Sequence, residues 1–305
     1  MILRLVWLLA LAACAAPQAA PVKVLSVLTL NIQVDARDGR LPGIVDLIRR
    51  SGADVVAMQE IDAAGPEIAR QLGWRYARLS DGAVVSKYEL GPGPGDLGVR
   101  IRLPGEQEVL LANIHLYYKP YQPYQLLGIP YEDGRFIRTE EEALAEAEAA
   151  RGQQVRRAIE AVAQTDTVIV TGDFNEPSHL DWTDRAAAAG RHPIRVRWPA
   201  SSAFAAAGFK DSYRQIHPDE MAKPGYTWTP GLKPNDPKDH ADRIDFVLYR
   251  GPGLRPRSAR IVGESSAAAD IVVTPYPTDH RGVLVEFVVD ALHLAGPKVL
   301  DGSRS

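Results

Sequence analysis

Chemically capable polar side chains recur where predicted buried strands end. They are amides, carboxylates and histidines, in chain order Asn31, Glu60, His115, Asp173, Asn175, Asp245, Asp279 and His280. A single aspartate at a strand end is usually a helix cap or a turn former. Because α/β proteins build their ligand sites at strand ends, six such places in one chain indicate a shared site.

The acidic and amide side chains are the types that a metal-assisted attack on a phosphoester requires. A hard divalent cation takes a few carboxylates, and Glu60, Asp173 and Asp279 are suitable donors. We expect Mg²⁺, with Mn²⁺ or Ca²⁺ as alternatives. Neutral donors can contact phosphate oxygens without repelling them, which suits Asn31 and Asn175. The sequence therefore predicts a divalent-metal-dependent phosphoester hydrolase.

The same chemistry needs a group that activates water and a group that stabilises the transition state. His280, His115 or Asp173 can serve in these roles. A carboxylate is also needed to orient a histidine and to stabilise its charged form, and Asp245 is available.

The elements that must position these side chains are continuous Val/Leu/Ile runs, which predict strands. We expect them at 24–30, 54–59, 84–86, 109–116, 167–171, 243–249 and 283–289. Runs without alternation are typical of sheets covered on both faces, and so of a layered α/β protein.

Between these strands, helices are predicted at 41–51, at 139–164 and at 181–189. Gly52 ends the first, and Thr139 and Glu142 have the spacing of a capping box at the start of the second. We expect a long surface loop at 117–138 and a break in the chain at 91–95.

These residues lie in six short motifs. In order they are Leu30-Asn31, Gln59-Glu60, Asn113-Ile114-His115-Leu116, Thr171-Gly172-Asp173-Phe174-Asn175, Arg243-Ile244-Asp245-Phe246 and Thr278-Asp279-His280. The ordered series resembles that of the endonuclease/exonuclease/phosphatase superfamily, the deoxyribonuclease I-like proteins, over about 24–289. The resemblance implies a four-layer α/β/β/α sandwich, in which two mixed β-sheets are flanked by helices.

The resemblance also implies roles for individual residues. Glu60 would be the principal metal ligand, with Asn31 and Asp279 on the metal or in its water shell. Asp173 would position or activate the nucleophilic water, and Asn175 would hold a phosphate oxygen.

Two histidines complete the implied site. His280, oriented by Asp245, would stabilise the transition state. His115 would be a second phosphate-facing histidine, at a position that some members of the superfamily fill with tyrosine. The segment 78–102 is shorter and richer in glycine and proline than the family pattern. The carboxylate that often orients the first histidine is not evident there, and Glu89 is the available candidate.

Aromatic side chains near the motifs are candidate substrate contacts. Tyr117, Tyr118 and Tyr121 follow His115 directly, and Trp228 precedes the Asp245 motif. Their rings could stack on a base, a sugar or a lipid headgroup, or they could pack the chain onto the domain.

Two further features involve histidines outside the six motifs. The run Asp239-His240-Ala241-Asp242 could supply an extra metal or phosphate contact, although a polar loop entering a strand explains it equally well. We expect His192, which has no partner pattern, to be a surface residue.

The N-terminus is typical of an exported bacterial protein. Residues 1–13 contain one arginine and a short apolar run, and Leu11-Ala12-Ala13-Cys14 resembles a lipobox, which predicts cleavage before Cys14 and its lipidation. The alternative is an ordinary signal cleaved near Ala20. The predicted organisation is a linker at 14–23, one catalytic domain at 24–290 and a polar tail at 291–305. We expect a periplasmic or outer-surface lipoprotein, or a secreted protein, attached to a membrane only through Cys14.

Charge and composition bound the substrate. The formal net charge of −3 gives no global bias toward polyanions, so nucleic acid is not favoured. A small or sugar-linked phosphoester is the leading expectation. An extracellular nuclease, a phospholipid hydrolase and a catalytically inactive, surface-anchored binding module remain alternatives. We expect a monomer.

Overall fold

The computed structural model describes residues 23–105, 107–231 and 236–290. The predicted signal peptide, Cys14 and the tail at 291–305 lie outside the described residues. No described helix is both long enough and apolar enough to cross a bilayer.

The described chain contains thirteen strands and eight helical segments. The strands are β1 Lys23–Asn31, β2 Val55–Gln59, β3 Arg75–Leu79, β4 Gly82–Ser86, β5 Glu89–Pro92, β6 Gly98–Leu103, β7 Gln107–His115, β8 Val168–Asp173, β9 Lys210–Asp211, β10 Asp245–Arg250, β11 Leu254–Gly263, β12 Ile271–Val272 and β13 Gly282–Val289. The helical segments are α1 Gln33–Ala36, α2 Leu41–Ser51, α3 Ala64–Leu72, α4 Gln122–Leu127, α5 Glu140–Val162, α6 Asp184–Ala188, α7 Pro199–Ala206 and α8 Ser212–Ile216.

The strands form two mixed sheets. A seven-stranded sheet has the order β12-β11-β13-β1-β2-β4-β3, and a six-stranded sheet has the order β5-β6-β7-β8-β10-β9. Each contains a central parallel pair, β1 with β2 and β7 with β8. The edge strand β12 is also parallel to β11, and the other neighbouring strands are antiparallel. This arrangement confirms the predicted sandwich.

Three apolar layers hold the sandwich together. Inward-facing residues of both sheets, such as Val27 and Leu111, pack between them. On the outer face of the seven-stranded sheet, Ile44 and Leu47 of α2 pack against the outward-facing side chains of the strands. On the outer face of the second sheet, Val155 of α5 does the same. Because every central strand is covered on both sides, the continuous apolar runs are the pattern that this architecture requires.

The ends of the two principal helices agree with the sequence. Gly52 follows α2 with a φ of 74°, the left-handed conformation that glycine tolerates best. At the start of α5, Glu142 N donates to Thr139 Oγ1 over 3.2 Å, and Thr139 N donates to Glu142 Oε2 over 3.3 Å. The predicted capping box is therefore confirmed.

The prediction of a long loop at 117–138 is wrong. The segment contains α4, and Tyr121 and Gln122 are 3% and 0% exposed. The reason is Arg151 of α5, itself 1% exposed, whose guanidinium donates to the carbonyls of Tyr117 and Pro120 and to the side chain of Gln122. Periodicity in the segment itself carries no sign of this buried cation.

Two smaller expectations also differ from the structure. The predicted break at 91–95 overlaps β5, where Gly91 and Pro92 pair with β6. Proline is tolerated because β5 is an edge strand of its sheet. The third predicted helix begins at Asp184 rather than 181, because Thr183 caps it while the Asp181 carboxylate binds Arg214 and Arg243.

Strand register brings the predicted site residues to one edge of the sandwich. In the six-stranded sheet, His115 pairs with Asp173 across β7 and β8, and Asp245 pairs with the same Asp173 across β10 and β8. In the seven-stranded sheet, Asn31 pairs with Gln59, which immediately precedes Glu60. The two sheets therefore present their polar ends to each other.

Candidate active site

Asp173 lies at the centre of the polar edge. It ends β8, and it is 1% exposed. Its Oδ1 accepts the backbone N–H of Asn175 over 2.8 Å, and its Oδ2 accepts Nδ2 of Asn31 over 3.1 Å. The Nε2 atoms of His115 and His280 lie 3.7 and 3.8 Å from the same Oδ2. One carboxylate oxygen thus faces three nitrogen donors from three different strand ends.

His280 is held by a second carboxylate on its other side. Its Nδ1 lies 3.0 Å from Oδ2 of Asp245, which is fully buried. Burial opposes a charge on the ring, but the nearby Asp245 and Asp173 carboxylates outweigh it and raise the pKa of His280 to about 10. This pKa favours the imidazolium form of His280, hydrogen-bonded through Nδ1 to Asp245 and with Nε2 3.8 Å from Asp173 Oδ2.

Glu60 occupies a strained position after β2. Its φ is 53°, and Oε1 accepts Nδ2 of Asn31 over 3.1 Å while Oε2 accepts the Val34 N–H over 2.7 Å. The turn α1 (Gln33–Ala36) that supplies this N–H is itself left-handed, with φ between 48° and 60° at all four residues. Two donors fix the carboxylate and leave lone pairs for another ligand.

Asn31 links the two halves of the site. Its Nδ2 donates to both Glu60 and Asp173, and its Oδ1 accepts the N–H of Gln33 over 2.9 Å. The amide therefore connects Glu60, the predicted metal ligand, to Asp173, the residue predicted to activate water. A direct bond from Asn31 to the metal stays a prediction.

Asp279 has the features of a cation ligand. Its Oδ1 is buried and has no hydrogen-bond partner among the described residues. Burial raises the pKa of Asp279, the Glu60 and Asp173 carboxylates add to this effect, and His280 opposes it. Crowded carboxylates with an unpartnered buried oxygen fit a site for a divalent cation.

Asn175 and His115 border the open side of the centre. Asn175 has a φ of 47°, and its Nδ2 donates to the Leu116 carbonyl over 3.0 Å, which leaves its second N–H available. The His115 side chain is 27% exposed. With Asp81 and Arg78 it lines a depression of about 450 Å³ that also includes Glu60.

A search with protein-family models supplies the family. The model of the Endonuclease/Exonuclease/phosphatase family matches residues 28–280. The chain belongs to this family. As that description says, its members are nucleases and phosphatases, so hydrolysis of phosphoester bonds is the coarse function and divalent metals are the family's general cofactors.

The chain is also similar to individual proteins and solved structures. An uncharacterized protein of Caenorhabditis elegans is 28% identical over 262 residues, covering 77% of this chain and 81% of that protein. A family protein from Beutenbergia cavernae has a similar structure, with a TM-score of 0.56 and 19% identity over 87% of this chain and 72% of that chain.

Two further structures are similar to a comparable degree. An AP endonuclease from Archaeoglobus fulgidus has a TM-score of 0.53 and 19% identity, covering 87% of this chain and 99% of that one. The 3′ phosphatase NExo from Neisseria, bound to product DNA hairpin, has a TM-score of 0.53 and 18% identity, covering 86% and 99%. At these identities the likeness shows the fold.

The expected carboxylate partner of the first family histidine is not Glu89. Glu89 is exposed and binds Arg75, with its Oε1 2.7 Å from Arg75 Nε. The carboxylate within 4 Å of His115 is Asp173 itself.

The candidate substrate aromatics divide into exposed and buried residues. Tyr117 and Tyr118, which follow His115 in the chain, are 45% and 38% exposed, so both rings are accessible to a substrate. Tyr121 is 3% exposed, and its hydroxyl donates to Asp242 over 2.8 Å, so the prediction of a substrate contact there is wrong. Trp228 packs edge-on against Tyr121.

Trp228 also lies near the catalytic centre. Its ring centroid is 6.3 Å from that of His280, and the two planes are inclined by 32°. The indole is half-buried, so it forms part of the wall beside His280 while keeping an accessible face. A role in substrate contact stays a prediction.

A buried polar layer directly beneath the site was missed by the sequence reasoning. Gln59 Nε2 donates across the sandwich to Asn113 Oδ1 over 2.6 Å and to Thr29 Oγ1 over 3.1 Å. Asn113 Nδ2 donates back to the Met58 carbonyl over 2.9 Å, and Thr171 Oγ1 lies 3.2 Å from Asn113 Oδ1. Gln59 and Asn113 belong to the same motifs as Glu60 and His115. A polar residue within a predicted buried strand was the signal that could have indicated this layer.

Arg78 was missed for a different reason. Its guanidinium donates to the Asp62 carbonyl and carboxylate at the rim of the depression. It stands in β3, where exposed and half-buried residues mix, so nothing in the local pattern distinguishes it from a surface arginine.

Proposed function

We propose that the protein is a divalent-metal-dependent hydrolase of phosphoesters in which Asp173 accepts the proton of the attacking water. The observation that carries this is the position of Asp173 Oδ2, which faces Asn31, His115 and His280 from three strand ends. A carboxylate oxygen surrounded in this way is placed to receive a proton from a water bound among these groups.

Glu60 and Asp279 are the residues that would hold the cation, with Asn31 next to them. The unpartnered Oδ1 of Asp279 and the two-donor anchoring of Glu60 support this assignment. Oxygen donors of this kind favour Mg²⁺, Mn²⁺ or Ca²⁺ over softer metals. When bound, such an ion neutralises phosphate charge and polarises the phosphorus–oxygen bond.

The chain's own groups then act on water and phosphate. A water oxygen forms the new bond to phosphorus and its proton passes to Asp173 Oδ2. The bond to the ester oxygen breaks, and the leaving oxygen takes a proton from solvent water. His280, kept charged by Asp245, and His115 direct Nε2 toward the same region and stabilise the negative charge that develops there. The free N–H of Asn175 holds a phosphate oxygen.

We propose a small or sugar-linked phosphoester as the substrate. The depression beside Glu60 and His115, about 450 Å³ in volume, is of the size of a small ligand, and the net charge of −3 gives no attraction for a long polyanion. Tyr117 and Tyr118 supply exposed rings that can cover a sugar.

A nuclease is the second candidate. It is favoured by what similar proteins bind, since the Neisseria 3′ phosphatase NExo holds a DNA product and a D. rerio TDP2 structure holds single-strand DNA. Exposed tyrosines can also stack on bases.

We further propose that the protein acts outside the cytoplasm, attached through a lipidated Cys14. The support is the apolar N-terminal run followed by the lipobox-like sequence. Labelled palmitate should enter the wild-type protein and should not enter Cys14→Ser. Equal labelling of both proteins would contradict lipidation at this residue.

One screen tests the activity. Chelator-treated protein is assayed with Mg²⁺, Mn²⁺ or Ca²⁺ on p-nitrophenyl phosphate, bis-p-nitrophenyl phosphate, inositol phosphates, plasmid DNA and sphingomyelin. We expect hydrolysis that EDTA abolishes and metal restores, with a loss of about 10²-fold or more in Asp173→Asn. The control is Asp46→Asn, an exposed carboxylate on α2 that pairs with Arg50.

The outcomes separate the proposals. Hydrolysis of plasmid DNA in preference to small esters would replace the proposed substrate with the nuclease. Absence of activity on every substrate would support the inactive binding module, and an Asp173→Asn variant as active as Asp46→Asn would refute the mechanism.

A further inference from the structure

A buried carboxylate outside the catalytic centre lacks the positive partner that such a group needs. Asp242 is 1% exposed, with Oδ1 accepting Trp182 Nε1 over 2.9 Å and Oδ2 accepting the Tyr121 hydroxyl over 2.8 Å. Both donors are neutral. Within the described ranges, His240 is the only ionisable cation within 4 Å, with Nε2 3.8 Å from Asp242 Oδ1.

Two other carboxylates outside the catalytic centre are compensated by arginines. Asp181 binds Arg214 and Arg243, and Glu176 binds Arg151. Burying an ionised carboxylate without such a partner is strongly unfavourable. The surroundings of Asp242 therefore call for a cation from another source.

A second imidazole stands beside His240. His192 Nδ1 lies 3.1 Å from His240 Nε2, and the His192 ring stacks on Trp182 with centroids 4.2 Å apart. His192 is 6% exposed, so the expectation of a surface residue is wrong. The two imidazoles therefore meet beside the Asp242 carboxylate.

We propose that His192 Nδ1, His240 Nε2 and Asp242 Oδ1 form a second metal site, one that binds a transition-metal ion of the zinc class. These atoms all lie within 4.8 Å of one another. Two nitrogens on one tetrahedral zinc are about 3.3 Å apart, given bond lengths of about 2.0–2.1 Å, and the observed 3.1 Å is close to this. Two imidazoles and one carboxylate favour zinc, copper or nickel over magnesium.

The groups around the cluster match the outer shell of a metal site. Trp182 and Tyr121 each donate to a different oxygen of Asp242 and so fix the carboxylate, and Trp182 also fixes the plane of His192 by stacking. His240 lines a cavity of about 860 Å³, which gives an ion a route from solvent.

The position of the cluster shows what the ion would do. It joins the segment around His192 to the loop that carries His240 and Asp242, in a chain whose single cysteine excludes an intramolecular disulfide. The N–H of Asp242 donates to the Trp228 carbonyl over 2.8 Å, and Trp228 forms part of the wall beside His280. The ion would therefore stabilise the loop behind the catalytic wall without taking part in catalysis.

The test separates this site from the catalytic one. The double variant Glu60→Gln, Asp279→Asn removes the proposed ligands of the catalytic cation. Asp173, Asp245 and His280 remain as a second group that could hold an ion, so the cluster variants below are compared in this same background. Chelator-treated protein is titrated with Co²⁺, followed by the visible absorption that tetrahedral cobalt gives, and with Zn²⁺ by calorimetry. We expect one equivalent of each ion to bind and the midpoint of thermal unfolding to rise with zinc.

Variants of the cluster decide between a metal site and a hydrogen-bonded histidine pair. His240→Ala should weaken zinc binding by about 100-fold or more, and Trp182→Phe, which removes only an outer donor, by about tenfold. His240→Gln provides a second, more conservative ligand change if the alanine variant is unstable. His217→Ala is the control, because His217 bonds a backbone carbonyl at Ala259. No tetrahedral cobalt spectrum in the double variant, or equal zinc affinity in His240→Ala and His217→Ala, would overturn the proposal and leave a histidine pair alone.

Discussion

The buried polar layer under the active site makes a quantitative prediction. Asn113 takes part in three side-chain hydrogen bonds, with Gln59, Met58 and Thr171, and Gln59 takes part in two, with Asn113 and Thr29. We consider Asn113→Leu and Gln59→Met, which keep approximate volume and remove the polar atoms.

The expected losses of unfolding free energy depend on the hydrogen bond that Gln59 and Asn113 share. At about 1 kcal/mol per net hydrogen bond, Asn113→Leu should lower the free energy of unfolding by about 3 kcal/mol and Gln59→Met by about 2 kcal/mol. Because one bond belongs to both residues, the double variant should lose about 4 kcal/mol rather than about 5. The difference, about 1 kcal/mol, is the coupling free energy between the two substitutions. Each single variant also leaves a buried partner without its hydrogen bond, which can increase this coupling free energy to about 3 kcal/mol.

Urea unfolding of the four proteins measures this coupling. Thr171→Val is the comparison. The single hydroxyl hydrogen of Thr171 is shared between the Ala112 carbonyl and Asn113 Oδ1, so a loss of about 1 kcal/mol is expected. Strict additivity of Gln59→Met and Asn113→Leu would refute the claim that the two amides form one network.

The same variants test whether the layer positions the site. Gln59 precedes Glu60, and Asn113 lies two residues before His115 on the same face of β7. We expect kcat of both single variants on the best substrate to fall by about tenfold or more, because small displacements of catalytic groups are costly. Unchanged kcat in a destabilised variant would assign the layer to stability alone.

Three other expectations follow from the structure. Thr139→Ala removes the capping box of α5 and should lower the free energy of unfolding by about 1 kcal/mol in urea, and an unchanged midpoint would contradict it. Arg243→Leu removes the arginine that binds Asp211 and one of the two arginines that bind the buried Asp181, so it should cost about 3–5 kcal/mol, whereas Asp46→Asn on the surface should cost under about 1 kcal/mol. Asp279→Asn should weaken Mg²⁺ binding in calorimetry by at least about tenfold, and equal affinity would exclude Asp279 as a ligand.

The fold and the core of the site could be predicted because they depend on strong local signals. Apolar runs end at Asn31, Glu60, His115 and Asp173, and parallel strands place such ends side by side. Their order in the chain then identifies the family. The strand β11 was missed because its arginines and proline interrupt the apolar pattern, although it pairs with β13 along almost its whole length.

Contacts between distant segments could not be predicted in this way. The helix α4 depends on Arg151, which lies some thirty residues away on α5. The meeting of His192 and His240 depends on loops that are 48 residues apart in the chain. Neither residue type nor spacing carries this information, because the geometry arises only when the second sheet and its loops are assembled.

The left-handed turn Gln33–Ala36 shows why the site itself departs from local rules. None of its four residues is a glycine, and a left-handed conformation costs about 1 kcal/mol or more at each such residue. The turn is held by Glu60, whose side chain accepts the Val34 N–H and whose carbonyl accepts the Asp35 N–H, and by the Asp35 carboxylate, which accepts three N–H groups at 62–64. The same contacts that enforce the strain orient the Glu60 carboxylate before a cation binds. The unfavourable backbone conformation of this turn therefore occurs where it holds the proposed metal ligand Glu60 in place.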